Sequence, residues 1–386
     1  MIKRHIETKL LQWARQYPVL TVTGPRQAGK TTLCRSLFAK KPYRSLEDPD
    51  TRAFARTDPR GFLAEIPAGG VIDEVQHVPE LLSYIQTRVD EKQRPGMFIL
   101  TGSRQFEMME KVTQSLAGRT AIVRLLPFSF GELYDKPAEL PMDRMLYAGF
   151  YPRIHDRRLN PTEALSFYVA TYLERDVRQI LAVTDMARFE IFLRLCAGRT
   201  GQLLNMQALG NECGITHNTI KSWLSVLQVS GIITLLRPWH ANLNKRMIKS
   251  PKLYFLDTGL ACFLLGIQKP EHLTGHPLRG ALFETFVVSE ACKQQNNAGR
   301  TDPMGFFRDS NGNEVDLLIG AGAELEIWEA KSAMTVASDF FNGMDALERA
   351  LGPIKSRSIV YGGDKSMTRQ ETHVIPWRDI GGIFVS

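Results

Sequence analysis

The sequence has no paired cysteines. Its five cysteines, Cys34, Cys196, Cys213, Cys262 and Cys292, stand singly with no C-x-x-C spacing. This argues against a zinc ribbon or a disulfide framework and leaves them as small core residues. No stretch approaches the ~18 uninterrupted apolar residues that a membrane helix needs. The opening segment, MIKRHIETKLLQWARQ, is charged and amphipathic and lacks the apolar core of a secretory signal. Both absences set the expectation of a cytoplasmic chain without a membrane partner. Internal repeats and low-complexity tracts are missing too, so neither a solenoid nor a disordered linker is expected. A more local absence is of acid. From Cys213 to Leu256 there is no Asp or Glu, while Lys221, Arg237, Lys245, Arg246, Lys249 and Lys252 all fall inside. With a formal net charge of +7, from 48 Lys and Arg against 41 Asp and Glu, this run predicts a positive surface for an anionic partner such as nucleic acid or nucleotide.

What is present is ordinary globular material, 44% hydrophobic and 23% charged over 386 residues, enough for two or three domains at roughly 150 residues each. Apolar runs alternate with helical patterns: VLTVTG at 19–24, a helix from Gly29, GGVIDEV at 69–75, a helix through Ile85, GMFILTG at 96–102, and TAIVRLL at 120–126. Strand and helix in alternation predict an α/β domain with a parallel sheet. Three prolines in LLPFSFGELYDKPAELP interrupt the pattern, which closes the first domain over 1–140. A helical module over 141–255 and a second, smaller α/β domain over 256–386 follow, the latter with strands around GFFRD, EVDLLIG and ELEIWEAK.

Residues 24–31, GPRQAGKT, fit G-x-x-x-x-G-K-[ST] between an apolar strand and a helix. Glycines at these positions let backbone N–H groups wrap phosphates at a helix N-terminus. Gly24, Pro25, Arg26, Gln27, Ala28, Gly29, Lys30, Thr31 and Thr32 are therefore the candidate nucleotide-binding residues. Lys30 is expected to reach the β- and γ-phosphates, and the Thr31 hydroxyl to hold Mg²⁺. GGVIDEVQ ends an apolar strand with two acids. Asp73 is the metal-side candidate, and Glu74 the group that polarises the attacking water. Ser103, at the tip of the next strand, is a further candidate facing the γ-phosphate.

The phrases GPRQAGKTTL, VIDEVQ, FILTGS and SLAGRTAIVRLLPFSFGEL resemble the AAA+-type ATPases of bacteria and archaea that carry a further C-terminal region. The resemblance implies a sheet in which an added strand separates the phosphate-loop strand from the Asp-Glu strand. It also implies a homo-oligomer, often a ring, in which an arginine of one subunit reaches its neighbour's γ-phosphate. Arg119 is the first candidate for that finger, with capping of its own helix as the alternative. Arg104 is the second.

From Gly201 to Asn242 the pattern runs helix, turn at Gly214, second helix from about His217 and apolar strands, the winged helix-turn-helix rhythm. Asn218, Lys221 and Ser222 fall at the exposed start of the second helix, and Ile220, Trp223, Leu224 and Leu227 on its buried stripe. DNA contact is the expectation, with protein docking as the alternative. The following LNKRMIKSPKLYFLDTGLA also resembles a phrase of the same family. Its Lys245, Arg246, Lys249 and Lys252 are either DNA-phosphate contacts or a solvated basic loop.

Near the end, Glu284 lies on a helix, Asp316 on a strand, and Glu329 and Lys331 two apart on the next strand, so that the last two share a face. Two carboxylates can then hold a divalent metal while a lysine steers the attacking water. The set resembles the PD-(D/E)xK nuclease superfamily, with Val315 where the proline usually stands. That resemblance implies a restriction-endonuclease-like C-terminal domain with Glu284, Asp316 and Glu329 at the metal and Lys331 as its catalytic lysine. The whole chain then reads as a Mg²⁺-dependent ATPase, with ATP and Mg²⁺ as cofactors and DNA as partner. Two alternatives stay open: a nucleotide-dependent docking switch with an inactive nuclease fold, and an ATP-regulated transcriptional regulator.

Overall fold

The computed structural model describes residues 2–102, 115–134, 139–172, 185–239 and 250–385. Ser103, Arg104, Lys245, Arg246 and Lys249 lie outside the described residues. The chain divides into two compact units. The first is residues 1–128 with 229–231 and 296–299; the second is 129–228, 232–295 and 300–386.

The first unit holds a five-stranded parallel sheet of β1 (Val19–Thr23), β2 (Tyr43–Ser45), β3 (Val71–Asp73), β4 (Phe98–Thr101) and β5 (Thr120–Arg124), in the order β2-β3-β4-β1-β5. The near-continuous apolar character of these strands follows from burial on both faces. Along β4, Phe98 and Leu100 enter one apolar cluster with Val75, Leu82 and Ile85, while Ile99 enters the opposite one with Leu20, Val22 and Leu33. The strand order puts β4 between β1 and β3, the inserted-strand arrangement expected above. Because every strand runs the same way, the residues just after β1 and β3 emerge at one edge of the sheet, which is what brings Lys30, Thr31 and Asp73 together.

In the second unit, α3 (Met186–Ala197), α4 (Met206–Cys213) and α5 (His217–Val229) precede β7 (Ile233–Pro238) and β8 (Lys252–Phe255). A short β6 (Gln202–Leu203) and β7 both pair antiparallel with β8. The expected stripe of α5 is buried at Ile220, Trp223, Leu224 and Leu227, and Trp223 packs edge-on against Phe189 and Phe192 with ring centroids 5.0 and 5.3 Å away. The sheet does not stop there. β7 pairs parallel with β9 (Met304–Arg308), and β10 (Glu314–Ile319), β11 (Glu326–Lys331), β12 (Ser356–Tyr361), β14 (Thr372–Pro376) and β13 (Met367–Arg369) extend it to nine strands in the order β13-β14-β12-β11-β10-β9-β7-β8-β6. The division expected between residues 255 and 256 therefore falls at the end of β8, a strand of that shared sheet. Two modules separate in sequence are joined by main-chain hydrogen bonding, which hydropathy along the chain does not report. Among the described residues no helix is long and apolar enough to cross a membrane.

Candidate functional sites

The loop between β1 and α1 (Lys30–Leu37) is built on backbone conformations that its residue types allow. Gly24 has φ +140°, and a Cβ there would sit 2.1 Å from the carbonyl oxygen of Leu125, so only glycine passes this point. Gln27 at φ 59° and Gly29 at φ 91° put two left-handed turns into the loop, the kind of conformation from which anion nests are built. Lys30 is buried and donates from its ammonium to the carbonyls of Gly24 and Pro25 at 2.9 and 2.8 Å, which folds its charge over the loop.

Asp73, the last residue of β3, is buried. Its carboxylate accepts from the Thr31 hydroxyl at 3.1 Å to each oxygen, from the Tyr43 hydroxyl at 2.7 Å, and from Thr101. Burial and the bond to Asp73 push the Tyr43 hydroxyl up to about 12. Glu74 follows in the left-handed region at φ 56° and ψ 45°, its N–H donating to the Thr101 hydroxyl at 3.3 Å and its carboxylate accepting from Gln76. The carboxylate of Asp73 beside the Thr31 hydroxyl, with Lys30 on the adjoining loop, fits a nucleoside triphosphate and its divalent cation.

Arg119 stands at the opposite end of the strands. Val19 pairs with Thr120 and Thr23 with Arg124, so Arg119, one residue before β5, lies the length of that strand from the phosphate-loop edge, about 16 Å at ~3.3 Å per residue. There its guanidinium makes a two-pronged bond to Asp90, at 2.5 and 2.9 Å, and donates to the carbonyl of Ala117 at 3.0 Å. Asp90 belongs to α2 (Leu81–Lys92). Arg119 therefore cannot serve the phosphate loop of its own chain.

The second unit gathers a carboxylate cluster. Glu284 on α6 (Arg279–Asn297), Glu314 and Asp316 on β10 bring carboxylate oxygens within 4.8 Å of one another. The β9–β10 register shifts between Val315 and Leu318, the interval that holds Asp316. On the neighbouring strand, the N–H of Ala330 donates to Asp316 at 3.0 Å, and Glu329 accepts from the N–H of Asp316 at 3.4 Å and from the Lys331 ammonium at 2.5 Å. Asp316, Glu329 and Lys331 are thus adjacent as their spacing implied, but Glu329 is engaged by Lys331 and Glu314 completes the compact carboxylate set. Burial and repulsion from Asp316 push Glu284 up to about 7 and Glu329 up to about 8.

Lys252 corrects the expectation of a DNA-phosphate contact. It is only 2% exposed, and its ammonium bonds Glu284 at 2.7 Å, Asp316 at 3.4 Å, and Glu314. Burial alone would lower its pKa, but the Glu284 and Asp316 carboxylates outweigh that and hold it well above the usual lysine value. Tyr254, two residues along β8, donates to the same Glu284 oxygen at 2.5 Å.

Residues 16–134 match the family model described as an AAA domain. The first unit thus carries a P-loop ATPase domain of the AAA type. Two further models, each described as a domain of unknown function (DUF8612 and DUF4143), match residues 141–271 and 279–380. Over 336 residues the chain is 29% identical to the uncharacterized protein Rv2008c of Mycobacterium tuberculosis, covering 86% of this chain and 74% of that one. Among solved structures it is similar to a Walker-type ATPase of Pyrococcus abyssi (17% identity, TM-score 0.45, 68% of this chain and 96% of that one) and to AMPPCP-bound DnaA from Aquifex aeolicus (14%, TM-score 0.32, 58% and 85%).

Around the AAA-type phosphate loop, Tyr43, Thr101 and Gln76 were not foreseen. Tyr43 and Thr101 lie on strands whose order no local pattern reveals. Gln76 could have been found, being two residues past Glu74. In the second unit Glu314 and Tyr254 also went unnoticed, although each lies two residues from a partner on one strand and so shares its face. Asn218, Lys221 and Ser222 are exposed at the start of α5, and Arg237 is exposed on β7.

Proposed function

We propose that the protein is a Mg²⁺-dependent ATPase that acts on DNA as a motor or remodeller of branched or damaged structures, and that it works as a homo-oligomer. The observation that carries the ATPase reading is the convergence of Lys30, Thr31 and Asp73 at one sheet edge beside the left-handed turns of Gln27 and Gly29. Bound ATP with Mg²⁺ would supply the reactive phosphoanhydride. The Lys30 ammonium would leave the Gly24 and Pro25 carbonyls for the phosphates, Thr31 and Asp73 would hold the ion, and Glu74 would accept the proton of the attacking water. Arg119, too far from its own loop, would serve a neighbouring subunit.

The DNA role rests on a winged-helix reading of α3 to β8, supported by the order α3, β6, α4, α5, β7, β8 with its antiparallel pairing and by Asn218 and Lys221 exposed on the first turns of α5. Lys245, Arg246 and Lys249 keep their proposed phosphate contacts. Lys252 leaves the set. The second unit is proposed as a restriction-endonuclease-like fold, on the adjacency of Asp316, Glu329 and Lys331. A specific observation favours the second reading, a nucleotide-dependent switch with an inactive nuclease fold: a lysine already fills the carboxylate cluster, so the residues as arranged do not fit a divalent ion there.

The deciding experiment is the ATPase rate with and without single-stranded, duplex and four-way-junction DNA. Stimulation by any of them, falling steeply with salt as counterion release requires, supports the DNA reading. An unchanged rate with no DNA binding moves the protein to the switch.

A further inference from the structure

The Glu284, Glu314 and Asp316 oxygens that approach within 4.8 Å of one another form a cage of the size a divalent cation takes. The same three side chains are the bonding partners of one nitrogen, the ammonium of Lys252. That lysine belongs to β8, which joins the sheet through β7 and lies outside the strands that carry the acids. Its ammonium also lies 5.6 and 5.9 Å from the ring centroids of Phe306 and Tyr254, so two aromatic faces add favourable potential where the charge is held. Tyr254 donates to the Glu284 oxygen that also takes Lys252, and Arg308 pairs with the second oxygen of Glu314 at 2.9 Å. The inward oxygens are therefore satisfied by this chain's own donors.

We infer that the Lys252 ammonium occupies the cation position of this cluster, a tethered counter-ion that must be withdrawn before Glu284, Glu314 and Asp316 can bind a divalent metal. An ammonium and a divalent ion cannot share one cage of carboxylate oxygens, because each would sit within a few ångströms of a like charge in a medium that screens it poorly. Metal affinity is thereby coupled to the position of the Lys252 ammonium: seated among the three carboxylates it closes the cluster to a divalent ion, and a movement that draws it out opens the cluster. This occupancy requires neither ATP turnover nor DNA, and it holds whether or not the fold descends from a nuclease.

The test is Mn²⁺ binding to the nucleotide-free full chain by calorimetry, read as the part abolished by Asp316→Asn. Wild type is expected to lack an Asp316-dependent site. Lys252→Met, which keeps the apolar stem and removes the charge, is expected to gain one, about 100-fold tighter than any residual wild-type binding, the factor lost when an incoming ion must displace a buried, multiply bonded ammonium. Lys252→Met with Asp316→Asn should lose it again. A stoichiometric Asp316-dependent site in the wild type, of the same affinity as in Lys252→Met, overturns the inference. If Lys252→Met unfolds, its melting is followed with added Mn²⁺: recovery of a cooperative transition supports the inference, and an Asp316-dependent Mn²⁺ site in wild type still refutes it.

Discussion

Glu74 combines two properties that can be separated by substitution. Its carboxylate is the proposed proton acceptor, and its backbone sits in the left-handed region at φ 56° and ψ 45°, where an L-residue pays roughly 1–2 kcal/mol. Glu74→Gln keeps the backbone and side-chain size while removing the basic oxygen, so ATP affinity should stay near wild type and kcat should fall by ~10²–10⁴, the usual worth of a positioned base. Glu74→Ala and Glu74→Gly both lose the bond from Gln76, so the difference between them isolates the backbone. Glycine relieves the strain but gives up roughly 0.5–1 kcal/mol of chain entropy. Subtracting that from the relief leaves Glu74→Gly more stable than Glu74→Ala by up to about 1.5 kcal/mol, the reverse of the usual ranking of these residues. Urea unfolding gives the stabilities and phosphate release gives the turnover. Wild-type hydrolysis by Glu74→Gln would remove Glu74 from the chemistry. Greater stability of Glu74→Ala than Glu74→Gly would refute the strain assignment.

Lys30→Ala should abolish hydrolysis and also weaken nucleotide binding, because the charge that meets the phosphates is lost; nucleotide-binding titration distinguishes it from Glu74→Gln. Arg119→Ala should cut hydrolysis by ~10³ with ATP affinity intact if the arginine serves a neighbouring subunit, and mixing with Lys30→Ala chains should restore part of the rate; Asp90→Asn, which breaks the same ion pair while leaving the guanidinium, should not reproduce the loss. Glu284 at about 7 and Glu329 at about 8 both lie above the ordinary unfolded glutamate, so the folded state holds protons that the unfolded chain releases and this contribution to stability declines as pH rises from about 5 through 8; thermal melts of Glu329→Gln should show a smaller decline than wild type. A fragment of residues 256–386 lacks Lys252 and leaves a buried cluster uncompensated at a cost of ~3–5 kcal/mol, so it should melt without cooperativity by circular dichroism where residues 129–386 melt cooperatively.

The phosphate loop was legible in the sequence because its constraints are local. Gly24, Gly29, Lys30 and Thr31 lie within a few residues, and each is fixed by backbone reach or charge that the neighbouring strand and helix supply. Asp73 was legible for a related reason, as an acid at the exit of an apolar strand. Its donors were not: Tyr43 and Thr101 reach Asp73 only because β2 and β4 flank β3, and strand order is set by tertiary packing. The buried stripe of α5 was readable from its period, since Ile220, Trp223, Leu224 and Leu227 recur at three and four residues.

The carboxylate cluster shows where composition misleads. An acid-free stretch rich in cations reads as a basic surface, and for Lys221 and Arg237, both exposed, that reading survives. Lys252 belongs to the same stretch by composition but to β8 by structure, and every residue of β8 is buried. A lysine is buried at this depth only where its charge is compensated, so Lys252 must have acidic partners. The run from Cys213 to Leu256 holds no Asp or Glu, hence those partners had to come from beyond it. They do, from α6 and β10, residues 284, 314 and 316. The absence of acid that suggested an external anion is thus equally the condition for pairing across the sheet. It is the burial of KLYF, an apolar run around a single charge, that distinguishes the two outcomes. Because that pairing spans the boundary drawn at residue 255, the helical middle and the C-terminal strands share a charge balance as well as a sheet, and a change that moves β8 acts on the carboxylates directly.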